Sequence, residues 1–296
     1  MREINLDDVS GRITAMSYGN LRTGKTRFAA TWPRPVFLSD ATESGWKTIQ
    51  TMGSDSWYEP TVRPKVYAIE RIVDVINVLN NHVIPGIRNG TFKTIVFDSI
   101  TFYGDLAYAG ILKAQGAKTD TRAAYGDLSN HLRDLRVNVH GLDVNALWLA
   151  LDRAPEKDSP VGQPLIPGQQ STKFPAGCDF IFYHRAYQEG KNLKFEMRTK
   201  KYGAYIAGGR DSGLLPDPIP NPTYRLVLDY LGRKVPLPVV EEEPEVDPAA
   251  EAVDEIEPTT IPSFTLTEPT NAVVIPTPAA KAKPTVIRAP APALRR

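Results

Sequence analysis

Apolar positions along this chain fall into short runs separated by stretches of helical spacing. Ile13 to Tyr18, Pro35 to Asp40, Phe92 to Ser99 and Asn145 to Leu151 read as buried strands, and Val66 to Ile69 as a shorter one. Between them lie expected helices over 43–52, 70–83, 100–115 and 122–140. The second is carried by Ile72, Val75, Ile76 and Leu79, and Pro85 predicts its end. Apolar strands alternating with helices predict a mainly parallel sheet covered on both faces. The pattern then changes. Phe180 to Gln188 and Leu193 to Thr199 flank Glu189-Gly190-Lys191-Asn192, which predicts a terminal antiparallel hairpin.

Composition divides the chain once. From Pro236 onward there are 12 prolines in 61 residues and one aromatic, Phe264. Such a segment buries too little apolar surface to offset its ordering entropy, so the expectation is one α/β domain over 1–235 and a disordered Pro-rich tail over 236–296. The tail is acidic over 241–257 and basic over 281–296. The net charge of +1 conceals this asymmetry: residues 1–240 carry 30 Lys+Arg against 24 Asp+Glu, and residues 241–296 carry 5 against 10. A basic core with an acidic tail suits a protein that binds polyanions and regulates that binding; it equally suits an enzyme with a solubilising tail.

The lone Cys178 excludes an internal disulfide framework and fits a reducing, cytoplasmic setting. No apolar run approaches the roughly 18 residues of a membrane span, and the N-terminus has no secretory signal pattern. His82, His131, His140 and His184 lack metal-ligand spacing.

Chemistry concentrates directly after the first strand. Gly19-Asn20-Leu21-Arg22-Thr23-Gly24-Lys25-Thr26 spells G-x-x-x-x-G-K-T between an expected strand and an expected helix. The glycines let backbone N–H groups wrap a phosphate chain, Lys25 sets an ammonium against the β- and γ-phosphates, and Thr26 offers a hydroxyl to Mg²⁺. A carboxylate must help organise that metal, and Asp98 ends an apolar strand where the chain turns. Ser99 is free to cap the following helix, which leaves Asp98 for the metal. The attacking water needs an orienting base. Asp40 has the strand-end position and Glu43 has the reach, and the sequence ranks them evenly.

This order of P-loop, acid-ended strand (Leu38-Ser39-Asp40-Ala41) and apolar strand ending in Asp98-Ser99 resembles the RecA-type P-loop ATPases. It is most similar to the RecA-like nucleotide-binding proteins of bacteriophages, a group associated with single-strand annealing and recombination. The resemblance covers roughly residues 10–232, and its specific parts are the P-loop and the Asp98-Ser99 strand. It implies a RecA-like core, ATP and Mg²⁺ as ligands, ATP hydrolysis, and single-stranded DNA as the client in phage-type recombination, replication or repair. It also implies a homo-oligomer, a host-cytoplasmic location and no membrane; the tail would contact a replication or recombination protein. The family's catalytic Glu stands two positions after the Asp of the second strand; here that position is Thr42, and the nearest Glu is Glu43. Its polar sensor beyond the fourth strand corresponds to Gln169 or Gln170. Its basic segment that reaches a neighbouring subunit's γ-phosphate corresponds to Arg198-Thr199-Lys200-Lys201, which equally suits contact with DNA phosphates. Tyr202 beside it is a candidate for base stacking. The rival reading is a nucleotide-dependent switch or assembly factor whose client is a protein.

Overall fold

The computed structural model describes residues 11–116, 120–157, 159–211 and 213–232. The expected tail, with its acidic and basic halves, lies outside the described residues. Six parallel strands form the centre of one sheet: β1 (Thr14–Tyr18), β2 (Pro35–Asp40), β3 (Lys65–Ile69), β4 (Thr94–Asp98), β5 (Asn145–Ala150) and β8 (Phe180–Glu189). Between β5 and β8, β6 (Asp152–Arg153) and β7 (Gln163–Pro164) pair as a separate small ribbon. β9 (Asn192–Arg198), β10 (Gly208–Gly209) and β11 (Ile219–Pro220) complete the main sheet in the order β11-β9-β8-β1-β5-β4-β2-β3, with β10 also on β8. The β8–β9 pair is the antiparallel hairpin that the turn at Gly190 predicts.

Helices cover both faces. On one lie α1 (Lys25–Ala30) and the last helix, α8 (Tyr224–Tyr230), over Ala15, Phe37, Leu147, Leu149 and Phe182. On the other lie α3 (Ile72–Val78), α5 (Ile100–Gln115) and α6 (Thr121–His140), over Met16, Ile95, Phe97 and Trp148. Residues of β1, β2, β4 and β5 are buried throughout because both faces are covered, which is why these strands read as unbroken apolar runs rather than alternations. Trp148 stacks on Phe97 at 4.5 Å, joining neighbouring strands.

Local capping sets the helix starts. Ser99 Oγ accepts the Phe102 N–H at 3.3 Å, and Asp120 accepts from Arg122 N at 2.9 Å. Two expectations are corrected. Residues 43–45 are loop, and α2 spans only Trp46–Thr51. Pro85 does not end its helix: a π turn over Leu79–Val83 follows α3, and α4 (Ile84–Arg88) continues through the proline. The proline sits in the first turn of the new segment, and the widened turn before it holds the carbonyl four residues back that its ring would otherwise crowd.

Candidate nucleotide site

The loop between β1 and α1 is shaped by close backbone approaches. Gly19 has φ +155°, and a Cβ there would lie 2.3 Å from the His184 carbonyl oxygen on β8. Gly24 has φ +88°, and a Cβ would meet the Phe195 ring of β9 at 3.0 Å. Only glycine fits either position. The Gly19 N–H donates to the Ala150 carbonyl at 3.3 Å, hanging the loop from the end of β5. Beneath it His184 is buried, 3.3 Å from Ser17 Oγ, and burial with the nearby Lys25 charge pushes its pKa down to about 3.

Lys25 turns its ammonium back onto the loop, donating to the Gly19 carbonyl at 2.8 Å and the Asn20 carbonyl at 2.7 Å. Desolvation pushes its pKa down to about 8, opposed by the carboxylates of Asp98, Asp152 and Glu43. The Gly19 and Asn20 carbonyls are weak neutral acceptors for a cation, and phosphate oxygens would replace them favourably. Thr26 Oγ1 donates to Asp98 Oδ2 at 2.9 Å, so the expected metal pair is already assembled. Asp98 is 8% exposed, and burial raises its pKa against the Thr26 hydrogen bond and the Lys25 charge. Gly45 lies beside the pair: a Cβ there would meet Asp98 Oδ2 at 3.2 Å.

The two candidate bases separate. Asp40 is buried, and its carboxylate accepts from Thr42 N at 2.7 Å and from Thr42 Oγ1 at 2.8 and 2.9 Å. It holds the turn after β2. Glu43 lies in the exposed loop ahead of α2 rather than in a helix. Partial desolvation raises its pKa first, then the charges of Asp98 and Asp40, with Lys25 opposing. Lys25, Asp98 and Glu43 therefore form one electrostatic group. No cluster of three or more His, Cys, Asp or Glu able to hold a metal occurs among the described residues. One hydroxyl and one carboxylate fit Mg²⁺, which keeps water and phosphate as its other ligands. Bound there, Mg²⁺ would supply charge neutralisation at the transferring phosphoryl group.

The remaining candidates lie elsewhere. Gln170 is buried in α7 (Gln170–Lys173), and its amide donates to Ser129 Oγ at 2.7 Å and to the Ser129 carbonyl at 3.2 Å, which ties α7 to α6. Gln169 is exposed ahead of it. Arg198 bonds Glu196 at 3.2 Å and Asp217 at 3.3 Å, and Arg185 also bonds Glu196, at 3.0 Å. The guanidinium carbons of Arg185 and Arg198 lie 4.4 and 4.2 Å from the Tyr202 ring centroid. Arg198 and Tyr202 are thus committed within the fold, while Lys200 and Lys201 are exposed. Sequence reasoning missed Asp152, just beyond β5, whose charge acts on both Lys25 and Tyr18. Its signal was positional: β5 lies between β1 and β4, and open α/β sheets bind ligands beyond their strand C-termini.

The family described as AAA domain matches residues 12–210. No curated protein sequence matches the chain. Among solved structures, the chain is similar to a KaiC-like protein of the hyperthermophilic archaeon Pyrococcus horikoshii, with 16% identity, a TM-score of 0.42, and coverage of 70% of this chain and 84% of that one. It is also similar to the flagellar accessory protein FlaH of Methanocaldococcus jannaschii, with 11% identity, a TM-score of 0.36, and coverage of 64% and 79%. No described helix is long and apolar enough to cross a membrane. With a P-loop, a paired Thr26–Asp98 and a mainly parallel sheet between two helical layers, this chain belongs to the AAA domain family and has a P-loop α/β fold.

Proposed function

We propose that the protein binds ATP with Mg²⁺, hydrolyses it, and couples that cycle to single-stranded DNA in phage-type recombination, replication or repair. The observation that carries the ATPase reading is the convergence of Lys25, the Thr26–Asp98 pair and Glu43 at the C-terminal rim of the sheet. On binding, Lys25 exchanges the Gly19 and Asn20 carbonyls for phosphate oxygens and stabilises the charge that develops there. Thr26 and Asp98 would hold Mg²⁺. Glu43, with its raised pKa, orients the attacking water and takes its proton. Asp40 stays on Thr42 and keeps the loop carrying Glu43 in place.

The DNA client is supported by the basic excess of residues 1–240 and by exposed Lys200 and Lys201, which suit contact with a phosphate backbone regardless of sequence. If subunits assemble so that one completes its neighbour's site, these two lysines are the cations able to reach across, because Arg198 is neutralised at home. A cytoplasmic setting and a tail contact with a replication or recombination protein complete this reading. One observation favours the nucleotide-switch alternative: Gly45, on the loop that also carries Glu43, lies beside the Thr26–Asp98 pair, so a ligand held by that pair would sit against this loop and could order it.

ATP turnover measured with and without single-stranded DNA, across a salt series and beside Lys25→Ala, separates the two. DNA-stimulated turnover that fades with salt and disappears in the variant is expected. Tight ATP binding with turnover indifferent to DNA would move the protein to the switch class.

A further inference from the structure

Away from the P-loop, a cleft of about 240 Å³ opens between α1, the 52–60 segment and the turn that starts α8. Arg27 and Arg225 line it, both exposed and neither ion-paired to a described carboxylate. Arg225 lies over the Tyr58 ring at 5.2 Å and donates to the Tyr58 carbonyl at 2.6 Å. Trp57 forms part of the wall, and its shielded indole Nε1 has no acceptor among the described residues. The wall therefore carries two cations against one acid, Asp55.

We propose that this cleft is the intramolecular docking site of the chain's own acidic segment, residues 241–257. That segment carries nine carboxylates and no Lys or Arg. Its tether has the right length. The chain leaves the described fold at Gly232, just beyond α8, and α8 begins at the cleft with Thr223 as its cap. The seven residues of α8 span about 10 Å. The nine residues from Gly232 to Glu241 reach up to about 30 Å, ample to return along the helix. A short tether holds the segment at an effective concentration near millimolar, so weak, screened contacts suffice.

The cleft also touches the nucleotide site along two routes. Arg27 and Thr31 belong to α1 and its end, directly behind Lys25 and Thr26. Asn221, another lining residue, donates its N–H to the Phe195 carbonyl at 2.8 Å, and the Phe195 ring packs on Gly24. A docked segment thus braces the P-loop from behind, and this regulatory consequence rests on the nucleotide reading. The docking itself does not.

Disulfide trapping in the full chain tests it without nucleotide. Cys178 is 5% exposed and burial pushes its thiol pKa up to about 12, so it stays silent. Ser56→Cys in the cleft is paired with Glu243→Cys, and the control pairs Glu243→Cys with Asp127→Cys, an exposed position on α6 across the sheet. The cleft pair should close at least about tenfold faster than the control. That advantage should vanish with Arg27→Glu, which loses no described contact, and in about 1 M salt, where the Debye length is near 3 Å. Equal rates for the two pairs, or an advantage indifferent to charge reversal, would overturn the proposal. So would cross-linking only between copies, which would assign the cleft to a second chain's tail.

Discussion

Lys25 and Arg198 both stand out in the sequence as cations for a phosphate group, and the fold treats them oppositely. Arg198 has two carboxylate partners, an aromatic face at 4.2 Å and a side chain 17% exposed. Among the described residues Lys25 has only loop carbonyls and a hydroxyl as hydrogen-bond partners, with its charge held down by desolvation. A cation already matched by fixed carboxylates gains little from a phosphate. One held by neutral oxygens gains much. Availability, not charge, marks the site.

That contrast can be broken most sharply by removing each cation. Lys25→Ala should weaken nucleotide binding roughly 10²–10³-fold, read by calorimetric titration, while leaving the thermal midpoint unchanged or raised, because a desolvated charge is lost. Arg198→Ala should do the reverse, costing about 2–3 kcal/mol of stability in denaturant unfolding because Glu196 and Asp217 each lose a partner. Nucleotide affinity near wild type in the second variant keeps the contrast; a large loss there erases it.

The same logic separates the acids. Glu43→Gln should lower kcat about 10²-fold at unchanged nucleotide affinity. Asp40→Asn should mainly lower stability, by about 1–2 kcal/mol, by weakening the hydrogen bonds it accepts from the Thr42 N–H and hydroxyl. A larger kcat loss at Asp40 than at Glu43 would exchange their roles.

The smallest effect concerns protons. Ligand-free Lys25 loses its proton near pH 8, and a bound phosphate chain raises that value. The bound state therefore holds more protons than the free state above pH 8, and affinity should fall as pH rises above 8, by at most about tenfold per unit, until the raised bound-state pKa is reached. Titrations in buffers of differing ionisation enthalpy would register the proton uptake directly. No uptake would mean that Lys25 stays charged on its loop carbonyls.

Much of this architecture is legible in the residues. Strands buried on both faces leave continuous apolar runs, so β2 over Pro35–Asp40 and β5 from Asn145 could be read almost to the residue. The P-loop and the Thr26–Asp98 pair follow from local spelling, and Ser99 takes the cap of α5. What escapes is decided by register and distance. Arg198 meets Asp217 only because β9 ends beside the 215–218 turn, and Gln170 meets Ser129 only because α7 folds onto α6. Asp152 carries no motif, and its meaning comes from β5 lying between β1 and β4. Pro85 misled because a π turn can absorb what an α-helix cannot.

The β8–β9 hairpin gives the two P-loop glycines a second reason to exist. A side chain at Gly19 would strike the His184 carbonyl, and one at Gly24 the Phe195 ring, before any nucleotide arrives. The phosphate-binding signature is here also a rule for docking one strand pair against a loop. In a mutational scan, dead variants at these glycines would report on assembly of the sheet edge, and those at Lys25 on the ligand. Two positions of one motif would then carry different kinds of information.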